Sequence, residues 1–144
     1  MGSAESYRAP QVIQYGAQPA AGANFALTSP ARQFWQLIAA TFTLVTDANA
    51  ATRFVTVDYD DGKGVLFGSN GAQGGVALST TAVFSFQATR GASEANTGNQ
   101  IFVPLQPVFF EPGQALQINV LNKQAGDQLS RIAFTFHRLP EAPY

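Results

Sequence analysis

The sequence predicts an all-β domain, an antiparallel sandwich preceded by an extended N-terminal arm. Two observations carry that expectation. From residue 33 onward, short segments alternate apolar and polar residues with a period of two, the signature of strands with one face in a core. Between them stand turn dipeptides such as Asp61-Gly62 and Pro112-Gly113, and no segment repeats with the helical period.

The first 32 residues are expected to form the arm, and residues 33–144 the folded domain. "MGSAESYRAPQVIQYGAQPAAGANFALTSPAR" is rich in Ala, Gly, Pro and Ser and is broken at Pro10, Pro19 and Pro30. Val12, Ile13, Tyr15, Phe25 and Leu27 are scattered along it without sustained periodicity. Purely disordered tails are poor in such residues, so these five are the candidate partner-binding residues of an arm that docks on a neighbouring subunit.

In "FWQLIAATFTLVTD" one parity collects Ile38, Ala40, Phe42 and Leu44, the expected core row, and the other begins with Trp35 and Leu37. "TRFVTVDYDD" turns Val55, Val57 and Tyr59 inward and enters a hairpin at Asp61-Gly62 that returns through "KGVLFGS". "GSNGAQGG" reads as a glycine-rich loop, and "VALSTTAVFSFQATRG" as a strand with Thr80, Ala82, Phe84 and Phe86 inward. "GASEANTGNQ" reads as a loop. In "IFVPLQPVFF", Pro104 and Pro107 cannot donate to a ladder and place a break at a sheet edge or a crossing between sheets. After Pro112-Gly113 come Leu116, Ile118 and Val120 on one face; after "KQAGDQ" come Ile132, Phe134 and Phe136, with Arg131, Ala133, Thr135 and His137 opposite. About eight such strands point to a sandwich of the jelly-roll kind.

Composition bounds the function. The 144 residues are 46% hydrophobic and 12% charged, which suffices for one domain with its own core. A net charge of -1 with eight scattered Lys and Arg offers no basic field for nucleic acid. The absence of Cys removes thiolate catalysis, Cys-based zinc sites and disulfides. The longest nearly apolar run, "LIAATFTLV", is about half the roughly 20 residues of a membrane helix, so a soluble protein without a membrane partner is expected. Met1-Gly2 with Ser6 fits the myristoylation pattern, but a plain chain end is preferred.

The succession "FWQLIAATFTLVTDANAATR", a D-G hairpin, "STTAVFSFQ" and "FEPGQALQINVLNKQAGDQLSRIAFTF" resembles small structural, head-associated proteins of tailed bacteriophage virions, over roughly residues 34–138. Its strongest parts are Thr46-Asp47-Ala48 through Arg53, Glu111-Pro112-Gly113 and Ala125-Gly126-Asp127-Gln128, all corners or turns. The resemblance implies a capsid decoration or cement protein, made in the host cytoplasm and carried on the virion surface. Its partners would be the major capsid protein and copies of itself, with a trimer favoured by analogy.

Chemical candidates are few. "DYDDG" from Asp58 differs from a calcium loop in its glycine position and in Ser69 where a closing Glu belongs, so a hairpin turn is preferred. Asp47 and Asn49, two apart, fit a metal loop or, better, a corner held by side chains on backbone N–H groups. His137 with Ser79 or Ser130 could form a hydrolytic set only if the fold assembled it. Gly68, Gly71, Gly74 and Gly75 make no phosphate loop, and Glu94 and Glu111 no identifiable carboxylate pair. No catalytic residue, metal ligand or cofactor is therefore expected. A non-enzymatic assembly subunit leads; the alternative is a carbohydrate- or receptor-binding sandwich of a phage particle using Trp35, Tyr59 or Phe67 as stacking surfaces; an enzyme is third.

Overall fold

The computed structural model describes residues 11–30, 33–88, 94–106 and 108–139. The Met1-Gly2 pattern, Pro10 and Pro107 lie outside the described residues. The described chain is all-β, with eleven strands: β1 Gln11–Tyr15, β2 Phe25–Thr28, β3 Phe34–Val45, β4 Phe54–Asp60, β5 Leu66–Gly71, β6 Thr81–Gln87, β7 Ala95–Thr97, β8 Gln100–Pro104, β9 Val108–Phe110, β10 Ala115–Leu121 and β11 Gln128–Leu139.

They form two sheets. The seven-stranded sheet runs β1-β11-β3-β6-β8-β7, with β9 on β3, and the four-stranded sheet runs β2-β10-β4-β5. One apolar cluster joins them, drawing Leu37, Phe42, Phe84 and Phe136 from the first and Val55, Val57, Leu116 and Ile118 from the second. Ring contacts bridge the layers: Phe25 of β2 stacks on Phe134 of β11 at 5.8 Å, and Tyr59 of β4 meets Phe110 of β9 edge-on at 5.5 Å. The architecture is sandwich-like, as two half-apolar sheets require.

The inward rows expected for β4, β10 and the second half of β11 are buried, as are Ala82, Phe84 and Phe86 of β6, while Thr80, which precedes that strand, is half-buried. In β3 the expected row changes parity. Trp35 and Leu37 face the core, then Ala40, Phe42 and Leu44, while Ile38 is only half-buried. The cause is a register shift against β11, where Ala39 pairs with Thr135 but Leu37 with Phe136, so one extra residue turns the strand over. A second shift lies between Ser130 and Ala133, where Arg131 takes a left-handed φ of 51°.

The segment expected to be an arm instead pairs with this chain's own sheets. β1 lies antiparallel on β11, with Val12 opposite Phe136, and β2 lies antiparallel on β10, with Phe25 opposite Ile118. Each is an edge strand too short to show a period. Their connection is fitted to the core: a Cβ on Gly16 would come within 2.6 Å of the Phe25 ring. Ser29 closes the segment by donating its N–H to Gln114 O at 2.8 Å and accepting from Gly113 N at 3.0 Å.

The sheets are not wholly antiparallel. β8 runs parallel to β6, with Phe84 beside Ile101, because the chain passes to the outer strand β7 first and then turns back at Gly98, φ 60°. β7 falls within what reads as a loop, and half of the glycine-rich loop, Gly68–Gly71, belongs to β5. The interruption after Pro104 separates two strands of one sheet: β6 pairs with β3 from Ala39 to Val45, and β9 takes the ladder at Trp35–Leu37.

Candidate functional site

The corner at residues 46–53 and the turn at 124–128 are far apart in sequence and meet at one end of the sandwich. Thr46 anchors the corner by donating its hydroxyl to Ala77 O at 2.6 Å and accepting from Thr80 N at 2.9 Å. Beyond it Arg53, fully buried, donates Nε to Asp127 Oδ2 at 2.9 Å and Nη2 to Asp127 Oδ1 at 3.0 Å, a two-pronged ion pair. Nη2 also reaches Asp47 Oδ1 at 2.8 Å, and Nη1 reaches Ala51 O at 2.7 Å.

The carboxylates are occupied on their other sides. Asp127 accepts the N–H groups of Asp47 and Gln124 at 2.9 and 2.8 Å. Asp47 accepts those of Asn49 and Gly126 at 3.0 and 2.9 Å, and the Asn49 amide besides. Burial alone would push both carboxyls up, but hydrogen bonds outweigh it and hold both below the usual aspartate value: chiefly the Arg53 guanidinium for Asp127, the Asn49 and Gly126 amides for Asp47. The hydrogen bond to Asp127 raises Arg53 despite its burial. With these bonds made, Asp47 and Asn49 tie a corner; the arrangement latches two loops and leaves the acids committed.

A second polar group lies on the outer face of the four-stranded sheet. Asp58 is 6% exposed and accepts from Thr56 Oγ1 at 2.9 Å, from Ser69 Oγ and from Asn119 Nδ2. The neighbouring acids hold the hairpin turn: Asp60 accepts from Gly62 N at 2.6 Å, and Asp61 from Lys63 N at 2.7 Å and Val65 N at 3.1 Å. Among the described residues no three His, Cys, Asp or Glu side chains group as metal ligands. Glu94 is spent likewise, accepting from Gln73 N at 2.6 Å and Gly74 N at 2.8 Å.

The hydrolytic set is not assembled. His137 pairs with Gln36 near one end of β11 and Ser130 with Thr43 near the other, seven residues or roughly 23 Å along the strand. Ser79 sits at the Ser130 end, its N–H on Asp47 O at 2.8 Å.

A cleft of about 470 Å³ opens between β5, the edge of the four-stranded sheet, and β9 of the other. Phe67 and Phe109, each nearly half exposed, flank it, and Ser69, Asn70 and Gln106 supply neutral polar groups. Tyr59 contributes to the wall, its hydroxyl accepting from Asn70 Nδ2, and burial pushes its ionisation up. Of the three aromatics that the carbohydrate-binding alternative would use as stacking surfaces, only Phe67 is exposed; Trp35, better read as a buried strand residue, and Tyr59, of the inward row, are core residues, Trp35 stacking on Phe136 at 4.2 Å.

Of the five arm residues, Phe25 is in the core, Val12 and Leu27 are half-buried, and Ile13 and Tyr15 are exposed on β1. The sequence reading missed Asn70, Gln106 and Phe109. The adjacent pair Phe109-Phe110 was the available signal, since consecutive residues of a strand face opposite ways. Compared with known proteins, the chain matches no family model, no curated protein and no solved structure.

Proposed function

We propose that the chain is a non-enzymatic structural subunit of a virion, a capsid decoration or cement protein of the jelly-roll kind that binds the major capsid protein and copies of itself. The strand order carries the reading. Taken without β7–β9, the sheets run β1-β11-β3-β6 and β2-β10-β4-β5. Numbering these eight strands in chain order gives 1-8-3-6 and 2-7-4-5, the two facing halves of a roll built from Greek keys. That is the architecture implied by the resemblance to phage head-associated proteins, and β1 and β2 then belong to the roll rather than to an arm. Rigid bracing suits the latched corner, whose acids are committed to structure.

The test is compositional. Particles purified from the source that encodes the chain should contain it in fixed proportion to the major shell protein, and stripped particles should rebind it saturably. Absence from particles, with no rebinding, overturns the reading.

The cleft favours a second reading, a carbohydrate- or receptor-binding module. Two exposed rings with neutral amide and hydroxyl groups suit a saccharide, which offers an apolar face and many hydroxyls. Glycan-array binding lost in Phe67→Ala and Phe109→Ala would support it; an array with no binding removes it.

A further inference from the structure

The seven-stranded sheet has an outer face whose composition is unusual for a surface that meets water. Register fixes its rows. Tyr15 lies beside Ala133, Ala133 beside Thr41, Thr41 beside Ser85 and Ser85 beside Phe102. The next row runs Ile13, Thr135, Ala39, Gln87 and Pro104. A third runs Ser130, Thr43, Val83 and Gln100. No residue in these three rows carries a charge. Arg131 stands beside them at the β11 bulge, and His137 continues the face at one end.

A soluble surface ordinarily carries about 25–35% charged residues, about four or five of fourteen positions, and even this chain's own 12% would place about two in the three rows. The other sheet differs: its outer face has Asp58 and Asp60, and the adjoining hairpin has Asp61 and Lys63. On the uncharged face the middle strands carry small side chains, with Ala39, Thr41, Ala133 and Thr135 half-buried and Thr43 and Ser85 buried in the single chain. Larger apolar groups stand out on the edge strand β1, where Ile13 is 55% exposed and Tyr15 73%, and at Val83 of β6, 41% exposed.

We propose that this face is the surface through which two copies of the chain associate, sheet against sheet. The proposal rests on the self-binding part of the function proposed above and names where it occurs. Charge selects the occupant. A charged partner would lose water from its charges against Ala and Thr with no counter-ion to replace it, whereas an identical face brings no charge within these rows and only Arg131 at its margin. Size agrees. Five strands at about 4.8 Å spacing, over five to seven residues at about 3.3 Å each, cover on the order of 500 Å² per copy, or about 1,000 Å² for two, the lower bound of a specific interface. The small central residues leave a flat floor that permits the sheet-to-sheet separation of about 10 Å found in sandwiches.

The test compares mass and cross-linking across a dilution series. The native chain should sediment above its monomer mass of 15.3 kDa and dissociate on dilution. Thr41→Lys, which places a charge at the centre of the face, should weaken association about a hundredfold, a like-charge cost of several kcal/mol. Thr28→Lys, on the exposed edge strand of the other sheet, should leave it unchanged. Because the chain has no Cys, Thr135→Cys provides an independent readout that does not depend on Thr41→Lys folding: a short bifunctional thiol reagent should link it into dimers, and should not link Thr28→Cys. If Thr28→Lys disrupts association and Thr41→Lys does not, or if only Thr28→Cys cross-links, the face is wrong while self-association stands. A chain that stays monomeric at every concentration overturns both.

Discussion

Replacing Phe25 with Ala tests whether the N-terminal strands belong to the domain's own core. The ring is 9% exposed, stacks on Phe134 at 5.8 Å and covers Gly16. Truncating a fully buried Phe costs about 3–5 kcal/mol, and since β2 is a four-residue edge strand that can relax toward the hole, about 3 kcal/mol is expected. For a domain near 150 residues each kcal/mol moves the melting temperature by about 2–4 °C, so the midpoint should fall by roughly 10 °C. Urea unfolding of the purified chain at several concentrations is the assay. Thr28→Ala, at an exposed site of β2, is the control and should shift stability by no more than about 0.5 kcal/mol. If Phe25→Ala matches Thr28→Ala while Phe134→Ala loses the full amount, the Phe25 ring is not in this core. A cost that appears only at high concentration would mean that the ring is buried in a neighbour.

Acid should unlatch the corner. Asp47 and Asp127 have folded-state ionisation held below the usual value of 3.8, so the unfolded chain binds protons first as pH falls. Their contribution is complete above that value and is lost as pH drops through the lower folded one; the slope should flatten in Asp127→Asn, followed by chemical denaturation from pH 6 downward. Gly62→Ala should destabilise by more than Gly64→Ala. Both glycines have φ near +85 to +88°, a left-handed geometry costing about 1–2 kcal/mol for other residues. Only at Gly62 would the new Cβ also run into a backbone, the Gly113 carbonyl of the neighbouring turn. Equal losses by urea titration would refute the close approach. A chelator should leave the melting temperature unchanged, and a calcium-dependent rise would show that an acid assigned to a turn binds metal instead.

Much of this fold was legible where apolar and polar residues alternate cleanly. Val57 and Tyr59, or Phe86, had polar neighbours on both sides and could face only one way. Reading failed where both parities are apolar, as at Leu37-Ile38-Ala39-Ala40, since only a partner strand reveals the extra residue. It failed again for β1, β2 and β7, whose three to five residues carry too short a signal, and for the parallel placement of β8, which is a property of the connection. Asp47 was recognised as a corner residue holding backbone amides, but its tie to Arg53 and Asp127 was not. Arg53 and Asp127 stand 74 positions apart, and nothing local to either announces the other.

The pairing of β1 with β11 and of β2 with β10 also sets a timetable. Val12 meets Phe136, 124 positions later, so the first strand has no edge to join until nearly all of the described chain has been synthesised. Closing so long a loop before its contacts repay the entropy makes folding slow, and the rate is governed by chain topology rather than by local propensity. Meanwhile β10 and β11, once paired on their other sides, present open edges that an identical β1 and β2 from another nascent chain fit as well as their own. Exchange of the N-terminal strands between copies is thus a built-in competitor of correct closure, and high protein concentration during refolding should favour it.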